Sequence, residues 1–206
     1  MNKVAKFEKV TFEQFKKSWL NTFGEHYNND DILQIYENIK LPKRATRGSA
    51  GHDISIPFSI SVAATDNLMI PTGLRCEMRE DYVMLIFPRS SLGIKKGIFL
   101  KNTVPVIDSD YAYADNEGHI FICIKNTSNE VVHFEKGDNI VQAVFLPFGV
   151  ADEEEVTEER TGGIGSTTHK ESEITKEPNC IKTKVSDKLS TTEIIQDKDS
   201  AGFLIN

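Results

Sequence analysis

The sequence is poor in cysteine and has no long apolar run. Its 206 residues include three cysteines, Cys76, Cys123 and Cys180, which are widely spaced and form no C-x-x-C pair. Such spacing fits neither a disulfide framework nor a zinc site. No segment approaches the roughly 20 apolar residues that a membrane-spanning helix needs, nor the apolar region of a signal peptide. These absences predict a protein of the reducing cytoplasm, without a membrane anchor.

Positive charge is also scarce. The chain has 24 Lys and Arg against 31 Asp and Glu, a formal net charge of -7. General nucleic-acid binders need a surplus of basic residues on the binding face, so direct nucleic-acid binding is not expected. A small anionic ligand stays compatible, because a few convergent Arg and Lys side chains can neutralise it locally. The hydrophobic content of 39% is enough for one core but not comfortably for two.

The first forty residues carry a helical pattern. Thr11 is a good N-cap, Gln14 stands at the capping-box position, and Gly24 is a plausible stop. A second, shorter helix is expected from about Asp31 to Asn38. Four aromatic residues fall along one face of the first helix: Phe12, Phe15, Trp19 and Phe23. We therefore predict a helical extension, residues 1–40, packed on the main domain.

Residues 41–150 show the pattern of short strands. Gly, Pro, Asn and Asp separate apolar or alternating runs at intervals of roughly 8 to 12 residues, with no helical segment expected between them. The expected strands are residues 52–56, 74–78, 82–87, 98–100, 119–125 and 140–146. This pattern predicts an all-β core, a jelly-roll-like barrel or sandwich.

The chain after the core changes composition twice. Residues 151–168 form an acidic linker and then a Gly-rich segment, R-T-G-G-I-G-S-T-T. This segment is either a flexible tail or an arm that closes over a ligand, because glycine amides can wrap phosphate oxygens unobstructed. Residues 169–206 are polar and expected to be disordered, apart from a possible short segment at about 189–195.

The stretch N-T-V-P-V-I-D-S-D-Y, residues 102–111, concentrates reactive side chains after a short apolar run. Val104 and Val106 are expected in a buried strand. Asp108, Ser109 and Asp110 are expected to form the turn that ends it, with side chains bonding local amides. By itself the stretch is an ordinary strand end.

Two neighbouring segments give that turn a chemical context. P-R-S-S-L-G (88–93) offers an arginine and two hydroxyls, and G-D-N-I-V-Q (137–142) offers a turn followed by a glutamine. Each alone is most simply a turn or strand end. Together with the Gly-rich segment they suit a polyphosphate and the water that attacks it.

In this order the segments resemble those of the trimeric dUTPase family, over roughly residues 41–168. The five matching motifs are A-G-H-D (50–53), P-R-S-S-L-G (88–93), N-T-V-P-V-I-D-S-D-Y (102–111), G-D-N-I-V-Q (137–142) and R-T-G-G-I-G-S-T (160–167). The resemblance implies hydrolysis of dUTP to dUMP and pyrophosphate, which keeps uracil out of DNA and supplies dUMP for dTMP synthesis. It also implies a homotrimer with active sites shared between subunits, and Mg²⁺ held by the substrate phosphates and water.

The resemblance implies a role for each matched residue. Asp108 would activate the attacking water, and Tyr111 would pack on the deoxyribose and leave no room for a 2′-hydroxyl. Asn102 and Val106 would belong to the hairpin that reads uracil, and Asp53 would support the water shell of the metal. The implied phosphate-binding residues are Arg89, Ser90, Ser91, Gln142, Arg160, Gly163, Gly165, Ser166 and Thr167, and Ile164 would cover the base.

Three features depart from the family pattern. Pro105 stands where the family usually has glycine, so any base contact from that amide is lost. Ile164 replaces the phenylalanine that usually stacks over uracil, which keeps apolar cover without an aromatic face. Residues 112–117 make the connection after Tyr111 longer than the usual short link. These departures bear on affinity and base selectivity more than on the reaction.

Two alternatives stay open. A dCTP deaminase has the same fold and its own R-S-S-L-G loop, but its catalytic glutamate should lie on the strand at residues 119–124, which here carries no carboxylate. The other alternative is a nucleotide-dependent regulatory module that binds another protein through the N-terminal helices or the polar tail.

Overall fold

The computed structural model describes residues 2–152, Arg160 and Gly162, together with the backbone of residues 184–185 and 193–195. Its helices are α1 (Phe12–Phe23), α2 (Asn29–Glu37) and α3 (Ser90–Lys96), and a 3-10 helix spans Ser109–Tyr113. The strands are β1 (Ala5–Lys9), β2 (Lys43–Arg44), β3 (His52–Ser55), β4 (Ser59–Val62), β5 (Asn67–Pro71), β6 (Leu74–Met78), β7 (Tyr82–Pro88), β8 (Ile98–Leu100), β9 (Val106–Ile107), β10 (Phe121–Asn126), β11 (Val132–Phe134), β12 (Asn139–Pro147), β13 (Lys184–Val185) and β14 (Glu193–Ile195).

The strands form four sheets around one core. Their orders are β1-β6, β5-β10-β8, β11-β4-β14-β13 and β2-β3-β12-β7-β9. Within the described part of the chain no sheet closes into a barrel, so the structure is mostly β with an N-terminal helical region. Residues from α1, α2 and every larger sheet meet in a single hydrophobic cluster. No helix among the described residues is long and apolar enough to cross a membrane.

Helix α1 forms as its sequence predicts. Thr11 caps it, with the side-chain oxygen accepting a hydrogen bond from the Gln14 backbone N–H at 3.2 Å. Gly24 ends it at φ 96°, a left-handed conformation that favours glycine, and its N–H donates to the Leu20 carbonyl. The predicted second helix is confirmed, but α2 begins earlier than expected because Asn28 caps it by accepting from the Asp31 N–H.

The aromatic face of α1 packs on the core. Phe15, Trp19 and Phe23 are all at most 1% exposed. The Trp19 ring lies 4.8 Å from the ring of Phe58, which precedes β4, in an edge-to-face contact. Burial of each such side chain contributes about 1.5–3 kcal/mol, which is enough to hold a helix that would be marginal alone.

The first forty residues are not helical throughout, which corrects the prediction. Strand β1 pairs antiparallel with β6, from Ala5 opposite Met78 to Lys9 opposite Leu74. A five-residue strand whose partner lies about seventy residues later has no local signal, because its stability comes from the tertiary pairing.

The predicted core strands are confirmed with small shifts, and four that the structure contains were not expected. Strands β6 and β8 have the predicted bounds, β3 and β7 differ by one residue at one end, β12 is one residue longer at each end, and β10 begins two residues later and ends one residue later than predicted. Strands β2, β4, β5 and β11 lie in runs whose alternation was too weak to predict them. The expectation of no helical segment in the core is wrong, because α3 follows Arg89 and ends at Gly97, which has φ 64°.

Part of the polar tail contains strand. The backbone of β14 pairs in parallel with β4, and β13 pairs antiparallel with β14. The short segment predicted at about 189–195 includes β14. The prediction of disorder is wrong for residues 184–185, which form β13, and the other residues of the tail lie outside the described residues.

His119 is fully buried between α1 and the turn that joins β5 to β6. Its Nε2 accepts a hydrogen bond from the Gly73 N–H at 2.8 Å, so the ring hydrogen lies on Nδ1, which donates to Ser18 Oγ at 2.9 Å. Burial lowers the pKa of His119 from its usual 6.5 to about 3, because a charged ring would lose its hydration.

This pKa predicts a loss of stability in mild acid. Below about pH 6.5 the unfolded chain takes up a proton on His119 that the folded chain refuses until about pH 3, so protonation favours unfolding. His119 alone should lower the free energy of unfolding by about 2 kcal/mol between pH 7 and pH 5. Urea unfolding of wild type and His119→Gln at both pH values checks this, because the variant should lose that much less.

His26→Gln is the matched control, since it also removes one histidine but from the exposed end of α1. If His119→Gln and wild type lost the same free energy of unfolding between pH 7 and pH 5, the assignment of the acid sensitivity to His119 would be wrong.

Candidate active site

Three predicted site residues meet on the five-stranded sheet, and we call Asp53, Arg89 and Gln142 the cradle. Gln142 on β12 lies opposite Asp53 on β3 and opposite Phe87 on β7. Arg89 directly follows β7, and its Nη1 forms an ion pair with Asp53 Oδ1. The Asp53 side chain is 12% exposed and that of Arg89 is 36% exposed, so the carboxylate is the inner member and the guanidinium faces outward. Asp53 therefore orients the positively charged guanidinium of Arg89 at the end of the sheet.

The glycine of the A-G-H-D segment makes room for Gln142. A Cβ on Gly51 would lie 2.3 Å from Gln142 Oε1, so no other residue fits without moving that side chain. Gln142 Nε2 lies 3.4 Å from the Pro88 carbonyl and donates to it. Close approach of Gly51 thus fixes the amide of Gln142 beside Arg89.

Two serine hydroxyls complete this end of the sheet. Ser90 and Ser91 are exposed and open α3, immediately after Arg89. Arg89 itself makes no side-chain cap, which leaves its guanidinium to Asp53 and to solvent. A guanidinium, two hydroxyls and an amide at the same end of the sheet are donors that suit a phosphate.

The second group lies after β9, and we call Asp108, Asp110 and Arg160 the acid turn. Arg160 Nη2 donates to Asp108 Oδ2 at 2.5 Å, and Arg160 Nε donates to Asp110 Oδ1 at 2.9 Å. Asp108 makes no side-chain cap to the following 3-10 helix, so the expected bond to a local amide is wrong for this residue. The side chain of Asp108 is 50% exposed, and that of Arg160 is 15% exposed. Asp108 is thus a carboxylate that water can reach.

The strand leading to the acid turn is less buried than predicted. Val106 is 60% exposed and Val104 is half-buried, because β9 is a two-residue strand at the edge of the sheet, next to β7, in the described part of the chain. Pro105 is the buried residue instead, and its carbonyl accepts a hydrogen bond from the Ile86 N–H at 3.1 Å. Asn102 is exposed in the turn after β8. An exposed valine and an exposed amide are thus available to a ligand.

Tyr111 is held by its hydroxyl. The phenol donates to the His119 carbonyl at 2.7 Å and accepts from Asn116 Nδ2 at 2.9 Å. The residue is 7% exposed, and burial raises the pKa of the phenol. The guanidinium carbon of Arg160 lies 5.8 Å from the centre of the ring, which joins Tyr111 to the acid turn.

The structure does not bring the cradle and the acid turn together in one chain. Ile107 lies opposite Met84 on β7, and continuing this antiparallel register places Asp108 beside Val83. Arg89 is six positions further along the same strand direction, about 20 Å away at the usual rise of a strand. This backbone separation exceeds the length of a triphosphate, so the two groups lie apart within one chain.

The rest of the predicted arm lies outside the described residues. Of R-T-G-G-I-G-S-T the structure describes only Arg160 and Gly162. The predictions for the phosphate-binding and base-covering positions concern Gly163, Ile164, Gly165, Ser166 and Thr167, which are not among them. Sequence reasoning missed Asp110 and Asn116 as members of the site. The D-S-D spacing was a signal for the first, whereas the second became visible only through its bond to Tyr111.

The described residues provide no direct cage for a metal ion. No group of three or more His, Cys, Asp or Glu side chains there is arranged to hold a metal ion. The carboxylates of the site are each engaged by an arginine, Asp53 by Arg89 and Asp108 by Arg160. Such a set fits a cation that arrives with an anionic ligand and keeps most of its water.

Known proteins share this fold and these segments. A deoxyuridine 5′-triphosphate nucleotidohydrolase of Lactococcus lactis is 46% identical over 142 residues, which cover 66% of this chain and 95% of the relative. The crystal structure of a dUTPase from Streptococcus mutans matches with 35% identity and a TM-score of 0.55, over 71% of this chain and 98% of that one. A dUTPase of phage phi11 of S. aureus, in a structure described with a structural Mg(II) ion, shares the fold at 21% identity, with a TM-score of 0.50 and coverage of 61% and 94%.

The family model for dUTPase matches residues 37–168. This span begins at the end of α2 and includes both the cradle and the acid turn, whereas α1 precedes it. Since the model covers well over half of the chain, and both groups of the site lie inside it, the chain belongs to the dUTPase family.

Proposed function

We propose that the chain hydrolyses dUTP to dUMP and pyrophosphate, as a dUTP diphosphatase. The observation that carries this proposal is the half-exposed Asp108 close to the ring of Tyr111, which a sugar can pack against. The same chain has the cradle, which suits phosphates, at the other end of β7. The reaction removes dUTP before uracil enters DNA and supplies dUMP for dTMP synthesis.

Asp108 is the general base in this proposal. A carboxylate that accepts a proton from water needs access to solvent and a fixed orientation, and the 50% exposed Asp108 has both. Arg160 holds Asp108 and Asp110 in the absence of nucleotide. When a triphosphate binds, its negative charge, which is greater than that of the two carboxylates, attracts the Arg160 guanidinium away from Asp108. Asp108 is then free to orient the water toward the α-phosphorus.

The cradle binds the phosphates. Phosphoryl transfer depends on positioning and charge neutralisation more than on covalent help, so Arg89, the Ser90 and Ser91 hydroxyls and the Gln142 amide suffice. Asp53 keeps the Arg89 guanidinium aimed at them through its ion pair. The Gly-rich arm, with Gly163, Gly165, Ser166 and Thr167, would close over the phosphates and exclude water.

Mg²⁺ fits this donor set as a cation carried by the substrate. Asp53 would hold the water shell of the ion from the inner side of the cradle, and a bound Mg²⁺ would supply neutralisation of the phosphate charge. The carboxylates of the site give it no direct cage, since Arg89 and Arg160 already engage them.

The pocket for sugar and base is built after β8 and around β9. The ring of Tyr111 packs on the deoxyribose and leaves no room for a 2′-hydroxyl. The exposed Val106 offers apolar contact to the base, Asn102 offers an amide that both donates and accepts, and Ile164 covers the other face. Pro105, which has no N–H, removes one contact that the family usually makes.

We propose a homotrimer, which the separation of the two groups supports. Since about 20 Å of β7 divides Arg89 from Asp108 in one chain, a complete site needs the cradle of one subunit and the acid turn of another. Each subunit would be a jelly-roll-like sandwich formed by the four sheets. We place the protein in the cytoplasm, where nucleoside triphosphates are made and used.

Two alternatives to this function are a dCTP deaminase and a regulatory module. A deaminase is disfavoured because β10, F-I-C-I-K-N, carries no carboxylate. The nucleotide-dependent regulatory module stays a prediction.

Asp108→Asn should abolish turnover and leave binding nearly intact. The amide is isosteric but cannot accept the proton, so kcat for dUTP should fall by about 10³-fold while the Kd changes by less than about fivefold. Pyrophosphate release and calorimetric titration measure the two quantities. Asp110→Asn is the matched control, because it removes the same charge and the other bond to Arg160. Equal losses of kcat in the two variants would contradict the assignment of the base.

Gly51→Ala should weaken phosphate binding. The new Cβ would lie 2.3 Å from Gln142 Oε1 and displace that side chain, so the KM for dUTP should rise about tenfold with a smaller change in kcat. Gly48→Ala is the control in the same loop, because a Cβ there meets nothing within 4 Å. A wild-type KM for Gly51→Ala would exclude Gln142 from the cradle.

Shared sites predict complementation between two inactive variants. Arg89→Ala lacks the cradle and Asp108→Asn lacks the base, so each alone should be inactive. Unfolded together and refolded at equal amounts, they should recover about a quarter of the wild-type turnover, because a mixed trimer contains sites with both groups intact. Sites contained within one chain would recover no activity, and this outcome would exclude the shared arrangement.

A further inference from the structure

We infer that α1 positions Tyr111 through residues 116–119 and thereby sets the discrimination against ribonucleotides. Helix α1 precedes the span that matches the family model, whereas Tyr111 and residues 116–119 lie inside it. The inference rests on the proposed contact of Tyr111 with the sugar and assigns positioning residues that lie away from the nucleotide.

The first tie joins the start of α1 to Glu117. The Thr11 N–H donates to Glu117 Oε2 at 2.7 Å, and Thr11 Oγ1 donates to Glu117 Oε1 at 2.6 Å. Both oxygens of one carboxylate are therefore held at the N-terminus of a twelve-residue helix. The positive end of the helix dipole favours this charge.

The second tie is steric and lies in the backbone. Glu117 has φ 58° and Gly118 has φ 69°, two successive left-handed residues. A Cβ on Gly118 would lie 2.7 Å from both the Tyr111 carbonyl oxygen and the Ala112 Cα, and these backbone atoms cannot rotate away. A left-handed glutamate is strained, and the bonds to Thr11 keep it in that conformation. Gly118, which directly follows Glu117, therefore lies close to the backbone of Tyr111 and Ala112.

The third tie runs through His119. Its ring Nδ1 donates to Ser18 Oγ in the middle of α1 at 2.9 Å, and the Gln14 amide donates to the same hydroxyl at 3.0 Å. The backbone carbonyl of His119 accepts the phenol hydrogen of Tyr111 at 2.7 Å. One residue thus bonds α1 with its side chain and Tyr111 with its main chain.

Asn116 closes the connection. Its Oδ1 accepts from the Gly118 N–H at 3.1 Å, and its Nδ2 donates to the Tyr111 hydroxyl at 2.9 Å. The phenol oxygen is therefore bonded on two sides by the segment 116–119, which is tied to α1 at Glu117 and at His119. We call this set of contacts the α1 link.

The α1 link acts on sugar selectivity more than on the chemical step. A 2′-hydroxyl is a single added atom, so excluding it needs a ring that cannot retreat by a fraction of an ångström. Asp108 is instead held by Arg160, which is not part of the α1 link. Loosening α1 should therefore admit UTP while dUTP turnover persists.

The test uses Ser18→Ala and Thr11→Val, alone and combined. Ser18→Ala leaves the His119 ring N–H without its acceptor, and Thr11→Val removes the hydroxyl that donates to Glu117 and caps α1. Steady-state kinetics with dUTP and with UTP should show the ratio of their kcat/KM values falling about fivefold to tenfold in each variant. The kcat for dUTP should stay within about twofold of wild type.

Two controls separate positioning from general destabilisation. Thr11→Ser keeps both the hydroxyl and the N–H and should keep the wild-type ratio. Ile32→Val weakens the packing of the fully buried α2 residue without touching the α1 link, and should also keep the ratio. A fall of the ratio in Ile32→Val equal to that in Ser18→Ala would overturn the inference.

Tyr111→Ala distinguishes failure of this inference from failure of the proposed site. If Tyr111→Ala keeps the wild-type ratio, then Tyr111 does not exclude the 2′-hydroxyl, and both the proposed sugar contact and the inference are wrong. If Tyr111→Ala loses selectivity but Ser18→Ala and Thr11→Val both retain it, only the α1 link is overturned, and dUTP hydrolysis with its sugar contact stands.

Discussion

The pairing of β7 with β12 and β9 is the constraint on which the site depends. The β7–β12 register places Gln142 beside the end of β7, where Arg89 follows, and the β3–β12 register adds Asp53. The β7–β9 register places Asp108 near the other end. A shift of one residue in either pairing would turn the polar side chains to the opposite face of the sheet. The backbone hydrogen bonds of one strand therefore set the position of both the cradle and the acid turn.

The N-terminal part joins this frame by two different kinds of contact. Burial of the aromatic face stabilises the packing of α1 on the core, because Phe15, Trp19 and Phe23 lose nearly all exposure to water. Hydrogen bonds to Ser18 and Thr11 supply the orientation, since apolar packing alone allows a helix to slide or rotate by small amounts. The fully buried, neutral His119 helps to fix the orientation of α1, because both of its ring nitrogens form hydrogen bonds. A second proton on the ring would break one of these hydrogen bonds.

Features that depend on a few neighbouring residues, such as helix caps and strand bounds, could be predicted from the sequence. The cap at Thr11, the stop at Gly24 and the bounds of β6 could be predicted from a few adjacent residues. The five family segments predicted a set of site residues, and their roles stay a prediction. Strand β1 could not be predicted, because its partner is distant in sequence. The exposure of Val106 follows from its edge position in the sheet, which no local pattern encodes. The division of the site between two ends of β7 likewise depends on register, a property of paired strands.

Charge explains why such a division suits an acidic chain. With a net charge of -7 and two adjacent carboxylates in the acid turn, this end of β7 repels a free triphosphate. Arg160 screens that charge without removing it, since one guanidinium faces two carboxylates. Attraction must come from Arg89 and the donors around it, which a neighbouring subunit would bring to the acid turn. In the proposed homotrimer, phosphate binding and activation of water would be coupled to assembly, because one chain holds the proposed base and the cradle at opposite ends of β7.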